Sequence, residues 1–182
     1  MIFEEKTISS KMIYEGRILN LRKDTVEAVG NTVSEREIVE HNGGVTLAAV
    51  TNDNKMVMVK QFRKAAEKAV LEAPAGKREK NEEAMETAIR ELKEETGYTA
   101  SDVTLLTKFY SSVGYSEEII YIYLCKGLVP GETQFDDNEA IEIIEYDLDE
   151  LYEMVMRGEI EDAKTIIAIL MTKIQLSVTI HA

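Results

Sequence analysis

At 182 residues the chain is long enough for one domain with a sizeable core, and 45% hydrophobic with 30% charged residues is ordinary for a globular protein. A formal net charge of -13 and a pI near 4.7 argue against sequence-independent nucleic-acid binding, which depends on Lys and Arg neutralising phosphates. A phosphorylated ligand would need its charge offset locally, and divalent cations are the obvious means.

The start, MIFEEKTISS, lacks the basic and apolar regions of a signal peptide. No apolar run approaches the ~20 residues of a membrane span, so the expectation is a cytoplasmic protein with no membrane partner. KMIYEGRILNLRKDTVEA and NTVSEREIVEH alternate apolar and polar residues. They read as strands joined by turns, with Gly30-Asn31 at a hairpin tip. Residues 1–40 are thus expected to form an antiparallel strand region suited to pairing with a partner subunit, ahead of a main domain over 41–182.

Val45 to Val50 is apolar enough for a buried strand, Asn52-Asp53-Asn54 is a turn, and Met56 to Phe62 is a further strand. From Glu83 to Glu95, Ala84, Met85, Ala88, Ile89 and Leu92 recur at helical spacing, and Gly97 is placed to end that helix. Strands resume at VTLLTKFYSS and at EEIIYIYLCKGL, whose Cys125, the single cysteine, fits strand packing in a reducing compartment. QFDDNEAIEIIEYDL reads as an acidic loop and then a strand. Helical stretches over Asp149 to Arg157 and Ala163 to Ile174 follow, separated by Gly158. The order predicts an α/β (α+β) sandwich: a mixed sheet with helices packed on it, plus the N-terminal antiparallel strands.

The helix within GKREKNEEAMETAIRELKEETGY is the informative element. At 100° per residue, Glu95 lies about 40° from Glu91, and Glu94 about 60° on the other side. Three like charges so grouped repel one another, and no lysine stands in register to offset them. They border the stripe of Ala88 and Leu92. Such clustered oxygen donors at a core margin suit Mg²⁺ or Mn²⁺. A solvated helix face is the plainer alternative.

Gly76, Glu82, Arg90-Glu91-Leu92, Glu94-Glu95, Gly97 and the bulky Tyr98, at their spacings, resemble the Nudix box. That family hydrolyses nucleoside diphosphates linked to another group. Tyr98 stands where an aliphatic residue is more usual. The resemblance implies Glu91, Glu94, Glu95 and the Ala75 carbonyl as metal ligands, with Glu91 and Glu95 central to catalysis. It gives supporting roles to Gly76 and Gly97, and to Glu82 and Arg90 as the pair that ties the loop to the helix.

REIVEHNGGV, VKQFRKAAEKAVLEAPAGK, FYSSVGYSEEIIYIYL and GEIEDAKTIIAIL are similar to the ADP-ribose pyrophosphatase branch of that family. The similarity implies Arg36, Glu37, Gln61, Arg63 and Gly114 at the substrate, and a homodimer. An arginine fork suits phosphate or an adenine face. The branch often carries a proline where Val113 stands, which bears on substrate choice. Glu117 is a further candidate near it. The implied general base is Glu139, with Asp136 and Asp137 as competitors; neither His41 nor His181 fits that part. The expected reaction is Mg²⁺-dependent hydrolysis of ADP-ribose to AMP and ribose 5-phosphate. Alternatives are another nucleotide sugar or dinucleotide as substrate, or a non-catalytic nucleotide sensor.

Overall fold

The structure, a computed structural model, describes residues 2–134 and 140–179. It divides into two compact units, Met1–Gly43 with Phe109–Ile119, and Gly44–Lys108 with Ile120–Ala182.

In the first unit, β1 (Thr7–Glu15), β2 (Asn20–Ala28) and β3 (Thr32–Glu40) form an antiparallel sheet in that order. Gly30 and Asn31 both adopt left-handed φ, 77° and 57°, at the β2–β3 turn. These are residues that tolerate such a backbone, and the expected hairpin tip is there. β1 is exposed along its whole length and leaves Ile8, Met12, Ile13 and Tyr14 in solvent. The returning segment docks on β3: Val39 N–H donates to Tyr115 O at 2.7 Å, and Glu117 N–H to Val39 O at 3.1 Å.

The second unit is built from β4 (Gly44–Ala49), β5 (Lys55–Arg63), β6 (Lys68–Glu72), β7 (Ala75–Lys77), α1 (Ala84–Thr96), β8 (Thr99–Tyr110), β9 (Ile119–Val129), β10 (Glu142–Asp147), α2 (Leu148–Met156) and α3 (Ala163–Thr179). The ends of β8 and β9 run into the first unit. One sheet has the order β10-β5-β6 and the other β7-β4-β9-β8. β4 pairs parallel with β9 and antiparallel with β7, so its sheet is mixed, as expected.

All six residues of β4 are buried, which a strand covered on both faces requires. Its odd positions, Val45, Leu47 and Ala49, meet Ala84, Ala88 and Leu92 of α1, together with Val57, Tyr123 and Cys125. β4 also packs against α3. Burial pushes the Cys125 thiol up to about 12, so it is an inert packing group.

The helix expected from the spacing is there, and within it Met85 and Ile89 are 38% and 55% exposed, beside the packed stripe of Ala88 and Leu92. The buried row runs through Ala84, Ala88 and Leu92, and Met85 and Ile89 lie to one side of it, about 60° and 100° from its centre. β6 and β7 went unread; they are short and are separated by Ala73-Pro74, which carries no strand signal.

Gly97 closes α1 in the left-handed conformation, φ 74°, with its N–H on Lys93 O. Gly131 lies against it: a Cβ on Gly97 would stand 2.8 Å from Gly131 O, and one on Gly131 2.8 Å from Gly97 O. Gln134 N–H then donates to the Glu94 carbonyl at 3.0 Å.

Candidate active site

The helix α1 presents its carboxylates where the sequence places them, at the margin of the core. Glu95 is buried, at 6% exposure, and accepts the Ala75 N–H at 2.9 Å. Glu91 lies against the backbone of Gly76: a Cβ there would stand 1.8 Å from the Glu91 carboxyl carbon. Only glycine leaves room for that carboxylate, which gives Gly76 its role.

The offset to the carboxylate cluster comes from Arg90, which sequence reasoning paired with Glu82 alone. Its Nη1 donates to Glu91 Oε1 at 2.7 Å and to Glu94 Oε2 at 2.8 Å. Its Nε and Nη2 donate to Glu82 Oε1 and Oε2 at 3.0 and 3.2 Å. The missing signal was simple, since Arg90 stands four residues before Glu94. Arg78, also missed, donates to the Glu82 carbonyl at 2.5 Å and fixes the loop ahead of α1.

The Arg90 hydrogen bonds, helped by the Glu79 N–H and opposed by partial burial, hold the Glu82 carboxyl down at about 2. A carboxylate depressed in the fold stabilises it above its ordinary value of 4.5, and that contribution is lost as pH falls toward about 2. Glu82→Gln is therefore expected to flatten the acid limb of stability across that window. Urea midpoints measured down the window check this; an unchanged slope would refute the assignment.

Glu91, Glu94, Glu95 and the Ala75 carbonyl are oxygen donors of the type that hard divalent cations take. Among the described residues no three carboxylates, imidazoles or thiols stand together so that they could hold a metal ion by themselves. What fits such a cation is the donor chemistry and the backbone at Gly76, which leaves room for the Glu91 carboxylate that any side chain would fill.

Arg63 stands on β5, and Glu72 first, with Glu95 and Asp162 adding to it against the cost of burial, holds its guanidinium more firmly protonated than usual. It donates from Nε and Nη2 to Glu72 at 2.6 and 2.9 Å, an ion pair between neighbouring strands. Burial opposes ionisation of Glu72, but Arg63 and Lys164 outweigh it and hold the carboxyl below its ordinary range. Arg63, Glu72, Asp162 and Lys164 line a cavity of about 340 Å³. Gln61 lines a shallower one with Phe62 and Glu142.

In the first unit, Arg36, Glu37 and Gly114 line a cavity of about 470 Å³ with Tyr110, Val113, Tyr115 and Glu117. Arg36 is paired there with Glu5. Arg22, unread in the sequence because it belongs to no motif, binds Asp24, Glu40 and Glu117 at 3.1, 2.6 and 3.3 Å. Asp24 is buried and its Oδ1 has no hydrogen-bond partner. His41 Nδ1 accepts the Gly43 N–H. Tyr98, the departure from the box, packs on the core cluster and donates to Glu145 at 2.8 Å. Asp136, Asp137, Glu139 and His181 lie outside the described residues.

Comparison with known proteins adds to this geometry. The NUDIX domain family matches residues 41–168, and the nucleoside diphosphate sugar hydrolase N-terminal domain matches residues 5–39. The chain is 44% identical to the methanol dehydrogenase activator of Bacillus methanolicus, over 96% of this chain and 95% of that one. It is 44% identical to the ADP-ribose pyrophosphatase of Bacillus subtilis (strain 168), over 91% of each. To the ADP-ribose pyrophosphatase of Mycobacterium tuberculosis it is 34% identical, over 91% of this chain and 81% of that one. A crystal structure of an ADP compounds hydrolase shares the fold at TM-score 0.87 and 18% identity, over 98% and 97% of the two chains.

Proposed function

Because the chain belongs to the Nudix family, as its match to the NUDIX domain over most of its length establishes, we propose that it hydrolyses the diphosphate of ADP-ribose to AMP and ribose 5-phosphate with Mg²⁺, Mn²⁺ being able to substitute. The observation that carries the reading is the carboxylate cluster of α1, seated against Gly76 and tied to Ala75. The similarity to two ADP-ribose pyrophosphatases supports the substrate.

Glu91, Glu94, Glu95 and the Ala75 carbonyl would hold the cations. When bound, these offset the diphosphate charge and make a water acidic enough to attack phosphorus at neutral pH. Phosphoryl chemistry otherwise asks for position and charge compensation. Gly76 gives Glu91 its place, Ala75 N–H orients Glu95, and Arg90 bridges Glu91 and Glu94 through one nitrogen. Arg63 uses one edge of its guanidinium on Glu72, and its other edge suits a phosphate oxygen. Gln61 on the same strand stands with it. The cavity of Arg36, Glu37 and Gly114 suits the nucleoside portion. Glu139 is the proposed base that takes the water's proton.

A reducing, cytoplasmic setting and a homodimer belong to the same reading. The single cysteine supports the first. The exposed apolar residues of β1 support the second, since isolated edge strands of this kind invite pairing. Val113, 82% exposed at the rim of the first unit's cavity, favours one alternative: another nucleotide sugar or dinucleotide as substrate.

The test is incubation of the purified protein with ADP-ribose and Mg²⁺, with and without chelator, and chromatography of the products. AMP and ribose 5-phosphate formed only with the metal are expected. An inert ADP-ribose beside a cleaved nucleotide sugar or dinucleotide would move the substrate; no cleavage of any of these would overturn the enzymatic reading.

A further inference from the structure

The segment Glu72-Ala73-Pro74-Ala75 is held residue by residue, and by a different neighbour at each step. Glu72 binds Arg63 of β5 at 2.6 and 2.9 Å and Lys164 of α3 at 2.6 Å. Ala73 N–H donates to Thr165 Oγ1 of α3 at 2.9 Å. The Pro74 carbonyl accepts Leu47 N–H of β4 at 2.8 Å. Ala75 N–H donates to Glu95 of α1 at 2.9 Å. Three of these ties serve ordinary ends: an ion pair, a strand contact and the metal-site carboxylate. The bond to Thr165 is the unusual one, because a buried side-chain hydroxyl of α3, a helix that carries none of the expected ligands, there takes up a main-chain N–H of the link.

The hydroxyl of Thr165 is fully buried, and its hydrogen-bonding is fully directed. It donates its proton to Asp162 Oδ2 at 2.5 Å. That leaves its oxygen lone pairs to accept the Ala73 N–H. Asp162 is fixed in turn, accepting the Thr165 N–H at 3.0 Å at the start of α3 and pairing with Lys164 at 2.9 Å. A helix-capping carboxylate, which usually serves only its own helix, here orients a hydroxyl onto the strand link that carries Ala75.

Resting on the metal-site reading given above, we propose that Thr165, oriented by Asp162, is a positioning residue for the cation site. It holds Ala73 so that the Ala75 carbonyl and the Glu95 carboxylate, joined through the Ala75 N–H, keep a common geometry. Outer partners of this kind commonly change metal affinity about 10- to 100-fold when removed. Lys164 reinforces the arrangement by touching both Asp162 and Glu72.

The test uses the full chain and Mn²⁺ alone as probe, titrated by electron paramagnetic resonance, with circular dichroism to establish folding. Thr165→Val keeps the shape and removes the hydroxyl. It is expected to weaken Mn²⁺ binding per folded molecule about tenfold, and to raise the Mg²⁺ requirement for turnover while the KM for ADP-ribose at saturating Mg²⁺ stays within about twofold. Thr165→Ser, which keeps the hydroxyl, should bind Mn²⁺ as the wild type does. If Thr165→Val does not fold, Asp162→Ala, at a half-exposed position, replaces it and should weaken Mn²⁺ binding several-fold. A folded Thr165→Val, or Asp162→Ala in its place, with wild-type Mn²⁺ affinity would overturn the proposal as a merely structural contact. A wild type that binds no Mn²⁺ would overturn the metal reading, and the proposal with it, in a way distinct from the variant's failure.

Discussion

Glu95→Gln is expected to lower turnover of ADP-ribose about a thousandfold while the fold persists, since losing a charged ligand of the proposed cation site removes several kcal/mol of transition-state stabilisation. Glutamine is nearly isosteric and its side-chain oxygen can still accept the Ala75 N–H, so the link to the loop remains while the charge goes. Glu95 is buried at the core margin, where a neutral side chain is no harder to accommodate than a carboxylate. The thermal midpoint should therefore move by only a few degrees. Steady-state kinetics on the folded variant decide the matter: turnover within a few-fold of wild type would sink Glu95 as a ligand.

Arg90→Met is the second substitution with a large expected effect, and it acts on stability first. One guanidinium meets Glu82, Glu91 and Glu94. Without it the three carboxylates face one another with their shared cation gone, and Glu82 and Glu91 are only 16% and 13% exposed. Breaking such a partly buried arrangement is expected to cost about 2 kcal/mol, below the range for fully buried pairs because Arg90 is itself partly solvated. Mg²⁺ should raise the thermal midpoint of Arg90→Met more than that of the wild type, because the cation then takes over charge compensation that arginine otherwise supplies. Equal urea midpoints for the two proteins would show that the carboxylates need no such compensation.

Much of this was legible in the sequence because local chemistry wrote it there. Gly30-Asn31 announced a left-handed turn and Gly97 a helix end, and both residues do that work. The spacing of Glu91, Glu94 and Glu95 with Ala88 and Leu92 announced carboxylates beside a packed stripe. What was not legible depends on distance along the chain. Lys164 and Glu72, and Thr165 and Ala73, are each 92 residues apart, and no local period joins them. Arg22 lies in an ordinary alternating strand, and only the fold gathers Glu40 and Glu117 around it. Arg90 was read in part: its partner Glu82 was foreseen, and its second duty toward Glu94 was not.

The contact between Gly97 and Gly131 also bears on how such a sequence can drift. A larger residue at either position meets the carbonyl oxygen of the other at 2.8 Å, and the partner has no side chain left to shrink in response. Compensation, the usual route by which neighbouring positions exchange volume, is closed to this pair, and Gly97 carries the added constraint of its left-handed backbone. Escape would require moving the main chain of residues 131–134, which is bonded to the carbonyl of Glu94 through Gln134. Each glycine thus removes the other's freedom to vary, and selection on the carboxylate helix extends to a stretch of chain that holds none of its ligands.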